Sequence, residues 1–79
     1  MSRLSIIIPL LNDKEALQST LSHLLRQYTH EEIIVVDGGS NDGGDEWVAK
    51  ESRVKLMRSP RAQRALQMNL GAAEATRDN

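Results

Sequence analysis

A continuous run of four β-branched apolar residues, Ile33 to Val36, constrains this chain more than any other feature. A short apolar run that is bounded by turn-forming residues is typical of a strand buried on both faces. Asp37 ends the run, and the glycine-rich residues 38–44 follow it. A carboxylate in this position lies at the carboxyl edge of a parallel sheet, where open α/β sheets bind their ligands. We therefore expect an α/β domain that binds a nucleotide at this edge.

Strand and helix patterns alternate along the rest of the chain. The sequence predicts strands over 3–9, 32–37 and 54–58, and helices over roughly 13–28, 43–51 and 61–76. Pro9 is expected to end the first strand, because proline cannot donate to a ladder. This βαβαβα order implies right-handed crossovers and a parallel sheet. We expect a three-layer, Rossmann-like arrangement with three strands in the order 3-2-1. We also expect residues 1–79 to be a single partial domain, because a fourth strand should follow the third helix.

Several polar residues and one glycine mark the predicted helices. Asn12, with Glu15 three residues later, resembles a capping box for the first helix. Asp42 or Ser40 is the candidate cap of the second helix. Gly71 lies in the third helix at a cost of about 1 kcal/mol relative to alanine, which a close helix–sheet contact or chance would explain. The apolar surface of that helix is predicted to come largely from Ala62, Ala65, Leu66, Leu70, Ala72 and Ala73.

Composition excludes some classes of function. The 79-residue chain has no cysteine, which excludes disulfides, thiolate metal sites and a cysteine nucleophile. Its net charge of −1 provides no field that would attract nucleic acid or a membrane surface. The apolar run over residues 4–11 is too short to span a bilayer, so a cytoplasmic, soluble protein is expected. His23 and His30 have no third metal ligand nearby, and we expect them on the surface.

Three segments resemble a known family. LSIIIPLLND at residues 4–13, followed by EEIIVVDGGSNDGG at residues 31–44, is similar to the start of the inverting family 2 glycosyltransferases, which have the GT-A fold. RAQRALQMNLGAA at residues 61–73 is similar to the Arg/Asn/Gly helix that precedes the family's metal-binding strand. The combination of DGGS with QMNxG resembles one bacterial subgroup of that family. The resemblance extends over essentially the whole chain.

The resemblance implies a nucleotide-diphospho-sugar donor and a divalent metal, Mg²⁺ or Mn²⁺, in the complete enzyme. Pro9 and the backbone near Leu10 and Leu11 would form the base pocket. Asp37 would face the base or the ribose, and Arg64, together with Arg61, would approach the diphosphate or the base. The full set of nucleotide-binding residues predicted here is Pro9, Leu10, Leu11, Asn12, Asp37, Gly38, Gly39, Ser40, Arg61 and Arg64.

Two departures from the family pattern limit what this chain is expected to do. Gly38 stands where the family commonly has a second acid, often assigned to uracil recognition, so the resemblance does not imply uridine specificity. The Asp-x-Asp metal motif and the catalytic base are expected beyond Asn79. We therefore predict that residues 1–79 contribute donor binding, contain no catalytic or metal-binding residue, and are inactive alone as a transferase.

Alternatives remain for the residues and for the function. Asp37 can instead hydrogen-bond its own loop, and Arg61 and Arg64, which are expected to share a helix face, can be solvated surface residues. Gln67 and Asn69 can be surface or helix-packing residues. The chain can belong to another class of nucleotide-binding α/β enzyme, such as a nucleotidyltransferase. It can also be a non-catalytic module that forms a homodimer through the exposed edge of the first strand.

Overall fold

The computed structural model describes residues 5–28 and 31–77, which form a three-stranded parallel sheet with three helices. In chain order the elements are β1 (Ser5–Leu10), α1 (Lys14–Gln27), β2 (Glu32–Asp37), α2 (Gly44–Ala49), β3 (Val54–Arg58) and α3 (Arg64–Arg77). The predicted βαβαβα order and the parallel sheet are confirmed. Residues 3 and 4 of the predicted first strand, and His30, lie outside the described residues.

β2 lies at the centre of the sheet, between β1 and β3. The strand order is β1-β2-β3 rather than the predicted 3-2-1, although both orders give β2 the same two neighbours. Ile34 of β2 pairs with Ile7 of β1 and with Lys55 of β3. Residues 33–37 of β2 are all buried, because only the central strand is flanked on both sides. In β3 only Val54 is buried, Leu56 and Met57 are half-buried, and the other two residues are exposed, so the predicted alternation holds only in part.

The sheet is covered on both faces, as the three-layer prediction requires. On one face, α1 and α2 contribute to a core cluster with alternate residues of the strands. This cluster consists of Leu10, Leu17, Leu21, Ile33, Val35, Val48 and Val54. On the other face, α3 lies so close that a side chain on Gly71 would meet Ile7 and Val36. Trp47 is half-buried and packs against the core cluster.

Pro9 does not end β1, which continues to Leu10. The carbonyl of Leu10 accepts a hydrogen bond from the Gly38 amide at 2.8 Å, so Leu10 directs its backbone groups toward β2. The backbone nitrogen of Pro9 therefore points away from β2, toward the open edge of the sheet, where a missing N–H interrupts no ladder bond. The prediction was wrong because a proline whose nitrogen faces away from the neighbouring strand does not have to donate to the ladder.

The buried face of α3 also differs from the prediction. Ala62, Ala65, Ala72 and Ala73 are exposed, and the positions buried against the sheet are Gln67 and Gly71, with Leu66 and Leu70 half-buried. The helix begins at Arg64, so Arg61 precedes it and does not share a helix face with Arg64. Small residues were assigned to the buried face for their apolar character. The structure instead selects a glycine, which permits close approach, and a glutamine, which hydrogen-bonds the sheet.

Candidate functional site

Two loops meet at the carboxyl edge of the sheet, one after β1 and one after β2. The Asn12 amide donates to Ser40 Oγ at 2.9 Å, and the Asn41 amide donates to Asn12 Oδ1 at 2.8 Å. With the bond from the Gly38 amide to the Leu10 carbonyl, these contacts tie the two loops together along their length. The predicted binding residues Asn12, Gly38 and Ser40 therefore build the edge through hydrogen bonds between the two chain segments.

Asn12 is not the N-cap of α1, and the predicted capping box with Glu15 is wrong. The N-cap position belongs to Asp13, whose side chain makes no capping hydrogen bond. Asn12 has φ 49°, a left-handed conformation that asparagine tolerates better than most residues. Its side chain accepts from the loop after β2 instead of from its own helix, because the two loops lie in contact.

Asp42 supports the starts of two helices. Its Oδ2 accepts from the Lys14 amide at 3.0 Å and its Oδ1 from the Gly44 amide at 3.0 Å, and these are the first residues of α1 and α2. The N-cap position of α2 is nevertheless Gly43, with φ 85°, and neither Ser40 nor Asp42 occupies it. The hydrogen bonds from Gly44 and then Lys14 lower the pKa of Asp42. This residue is thus a structural acceptor that joins α1 to α2.

Asp37 is 1% exposed at the end of β2. Its carboxylate accepts from the Gly39 amide at 3.2 Å and from the Ser40 amide at 3.1 Å. It also lies 3.6 Å from Nη1 of Arg58. The residues that line the two clefts described below do not include Asp37. The structure has the alternative arrangement, in which the Asp37 carboxylate hydrogen-bonds its own loop. Asp37 therefore holds the loop at the edge of the sheet.

Arg58 connects the end of β3 to α2. Its Nη1 donates to Asp45 Oδ2 at 2.7 Å, and this bond lowers the pKa of Asp45 and raises that of Arg58. The more distant carboxylate of Asp37 adds to the rise in the arginine pKa. With two carboxylates beside it, Arg58 has less capacity to bind an anionic ligand than an arginine without an acidic partner.

A cleft of about 240 Å³ lies where β1 ends and α3 begins. Its lining consists of Pro9, Leu10, Leu11, Asp13, Ala62, Arg64 and Gln67. Four of these, Pro9, Leu10, Leu11 and Arg64, are among the predicted binding residues. Asp13, Ala62 and Gln67 were not predicted to bind, and only the helix resemblance singled out Gln67 from the sequence.

The two predicted arginines differ in their relation to this cleft. Arg64 lines it, whereas Arg61 is exposed in the preceding turn, where its backbone amide and carbonyl both bond to the Ser59 hydroxyl group. Among the described residues, none forms an ion pair or a side-chain hydrogen bond with the Arg64 guanidinium group. The first turn of α3 contains no acidic residue, whereas α1 and α2 have acids in theirs. The start of α3 is consequently the more suitable place for an anion.

Gln67 connects α3 to the ends of two strands. Its Nε2 donates to the Leu10 carbonyl at 3.1 Å and to the Val36 carbonyl at 2.7 Å, and the residue is 3% exposed. Gly38 packs directly against it, since a Cβ on Gly38 would lie 3.0 Å from both Gln67 Oε1 and Ala62 Cα. The second acid of the family pattern would not fit at position 38 while α3 lies where it does.

A second cleft, of about 330 Å³, lies beside the first turn of α1 and is lined by Asn12, Asp13, Lys14, Glu15 and Asp42. Although three of its residues are acidic, the part of the chain that the structure describes contains no group of three His, Cys, Asp or Glu side chains placed to hold a metal ion. None of the described helices has the length and apolar character needed to cross a membrane.

Comparison with known proteins gave one match. Residues 5–78 match the model of the family described as Glycosyl transferase family 2. No curated protein and no solved structure matched the chain. The family match covers most of the chain, including both loops, the cleft and α3.

Proposed function

The chain belongs to glycosyl transferase family 2, and from that premise we propose that residues 5–77 bind the nucleotide part of a nucleotide-diphospho-sugar donor. The observation that carries this proposal is the cleft at the carboxyl edge of the sheet, with Arg64 on its lining and no acidic partner for that arginine among the described residues. Open parallel sheets bind ligands at this edge. The complete enzyme would transfer the sugar with inversion at the anomeric carbon.

Arg64 is the proposed diphosphate contact. A guanidinium group matches phosphate oxygens with two parallel hydrogen bonds. Arg64 is the first residue of α3, so a phosphate bound to it would also lie near the unpaired amides at the start of the helix. In the reaction, the same positive charge would stabilise the diphosphate as it departs.

The nucleoside would lie against the end of β1. Leu11 is 45% exposed, and together with Pro9 and Leu10 it gives the cleft an apolar wall. A planar base or a ribose ring buries apolar surface against such a wall. The exposed carboxylate of Asp13 is an acceptor on the same lining and would pair with ribose hydroxyl groups.

The role proposed for this chain is limited to donor binding. In an inverting transfer, a base removes the proton of the acceptor hydroxyl, the oxygen attacks the anomeric carbon, and the bond to the diphosphate breaks. None of the described residues is assigned the part of that base. The described residues also do not form the donor set for the divalent metal that the resemblance implies, so we derive no step through a metal from this chain.

Titration of the ¹⁵N-labelled chain with UDP and GDP tests the proposal. Arg64→Ala is expected to weaken binding about tenfold, since a hydrogen bond to a charged group contributes about 1.5–3 kcal/mol and an exposed site gives the lower part of that range. Arg26→Ala is the matched control, because Arg26 is exposed on α1 and bonds to the Ser22 carbonyl of its own helix. Arg61→Ala should have a smaller effect than Arg64→Ala. If neither nucleotide binds, or if the three variants weaken binding equally, the proposed site is wrong.

A further inference from the structure

The amide nitrogen of Gln67 is hydrogen-bonded to the sheet, whereas the amide oxygen accepts no hydrogen bond from the described residues. Both hydrogens of its Nε2 are directed at main-chain carbonyls, those of Leu10 and Val36. Rotation of the amide by half a turn would bring Oε1 against the same two carbonyl oxygens, where no hydrogen bond is possible. The hydrogen bonds to the two strands therefore fix the direction in which Oε1 points.

Oε1 is an acceptor that residues 5–28 and 31–77 do not use. None of the described residues donates a hydrogen bond to it, and no buried side-chain nitrogen or oxygen among them lacks a partner, so Oε1 keeps access to the solvent. Gln67 is 97% buried, since its exposed fraction is 3%, and it lines the cleft. The cleft is thus the space from which a ligand atom can reach this oxygen.

The two polar groups on the cleft lining select the orientation of a nucleotide. Arg64 is exposed and cationic, whereas Gln67 is buried and neutral. Phosphates would meet the exposed cation, which leaves the other end of the nucleotide, the base, for the buried acceptor. An amide oxygen with a fixed direction pairs with an N–H donor.

We propose that Gln67 is a specificity-determining residue whose Oε1 accepts a hydrogen bond from a ring N–H of the donor's base. This inference rests on the proposed function, and it specifies the substrate class further. Uracil carries a ring N–H at N3 and guanine carries one at N1, whereas the corresponding ring nitrogens of adenine and cytosine are acceptors. Thymine carries the same ring N–H as uracil, so the chain selects donors whose base is uracil, thymine or guanine.

Gly38 contributes to the position of the Gln67 amide. A Cβ at this position would lie 3.0 Å from Oε1 and 3.1 Å from the amide carbon of Gln67, so a side chain there would push the amide out of its position. The absence of a side chain at position 38 lets the Gln67 amide keep its direction, while the backbone of Gly38 remains bonded to Leu10. The two residues belong to different sequence segments, 29 positions apart, and contact each other only in the folded chain.

The test compares each parent nucleotide with its N-methylated analogue. The chain is titrated with UDP and GDP, and the one that binds more tightly is then compared with 3-methyluridine or 1-methylguanosine diphosphate. The methyl group removes the N–H and should weaken binding to the natural chain on the order of tenfold, as expected when a buried acceptor loses its donor. This comparison requires no substitution and therefore does not depend on the folding of a variant.

Gln67→Met separates recognition from a merely structural role. Methionine has a similar length and no acceptor of comparable strength, so the variant should bind the parent and the methylated nucleotide with nearly equal affinity. Gln63→Met is the matched control, because Gln63 is exposed one turn earlier and should leave the methylation penalty unchanged. Thermal unfolding of each variant checks that the fold persists.

The outcomes distinguish the two proposals. If neither nucleotide binds the natural chain, the proposed function fails and this inference fails with it. If a nucleotide binds but tolerates N-methylation, donor binding stands and the role of Gln67 is overturned. An equal methylation penalty in the natural chain and in Gln67→Met would also overturn it, because the penalty would then arise from another part of the cleft.

Discussion

The substitution Gly71→Ala has two opposite effects on the free energy of unfolding, and the structure predicts which of them is larger. Alanine favours the helix by about 1 kcal/mol relative to glycine in a helix interior. Gly71 is buried in α3 against the sheet, and a Cβ there would overlap Ile7 Cγ2 and lie 3.2 Å from Val36 Cγ2. The contact therefore acts against the gain in helix propensity.

Relief of this overlap requires movement of a stiff side chain or of the helix. Ile7 is β-branched, so its Cγ2 moves only with rotation about χ1 or with the strand itself. Extra methyl groups in packed interiors cost about 1–3 kcal/mol. The two neighbours of the added methyl group favour the upper part of that range. After subtraction of the helix term, we expect Gly71→Ala to lower the free energy of unfolding by about 1–2 kcal/mol.

Urea unfolding followed by circular dichroism measures this difference. Ala72→Gly provides the calibration, because Ala72 is the next residue in the same helix and is exposed. That variant should lose about 1 kcal/mol through helix propensity alone. If Gly71→Ala instead raised the free energy of unfolding by a similar amount, α3 would not lie against Ile7 and Val36 as described. The position of Gln67 in the same helix would then be in doubt as well.

The loops at the site give two further predictions. Gly38→Ala should lower the free energy of unfolding by about 1–3 kcal/mol, because the new Cβ would lie 3.0 Å from Ala62 Cα, a backbone atom that cannot rotate away; an unchanged urea midpoint would contradict the contact. The folded-state pKa values of Asp42 and Asp45 lie below 3.8, so their stabilising bonds are fully present above that pH and are lost as the pH falls through the lowered values. Asp42→Asn should reduce the loss of thermal stability on acidification below about pH 4. Acid sensitivity equal to that of the natural chain would be the contrary result.

The element order followed from local patterns in the sequence. Runs such as Ile33 to Val36 are apolar at every position, which only a strand covered on both faces satisfies in a short segment. β2 accordingly has the predicted bounds, Glu32–Asp37, and β3 the predicted bounds, Val54–Arg58. The predicted first helix is present as α1, and its buried residues Leu17 and Leu21 lie one turn apart, as helical periodicity requires.

The details of the site depended on contacts between distant parts of the chain, which local patterns do not contain. Capping rules assign Asn12 to the helix that follows it, but its side chain bonds to Asn41, 29 positions away. Asp42 serves the start of α1 in addition to α2 for the same reason. A polar residue in a helix is usually on the surface, so the burial of Gln67 would have required knowledge that two strand ends offer it carbonyl groups.

The position of Asp37 in the sequence did not determine what its side chain contacts. The strand pattern correctly placed this acid at the carboxyl edge of the sheet. The glycines that follow it allow the loop to fold back so that its amides reach the carboxylate, and Gly39 adopts φ 110° there. The direction in which the side chain points is set by that loop, and the cleft lies instead against Arg64 and Gln67.

The position of a bound nucleotide tests the central claim most directly. In the titration of the ¹⁵N-labelled chain with UDP or GDP, the account predicts that the amide shifts concentrate at the cleft lining, above all at Leu10, Leu11, Arg64 and Gln67. The chemical shifts of the α1 amides beyond the first turn should remain unchanged. Shifts that centre on another surface, or no saturable shift with either nucleotide, would contradict the assignment of this cleft as the donor site.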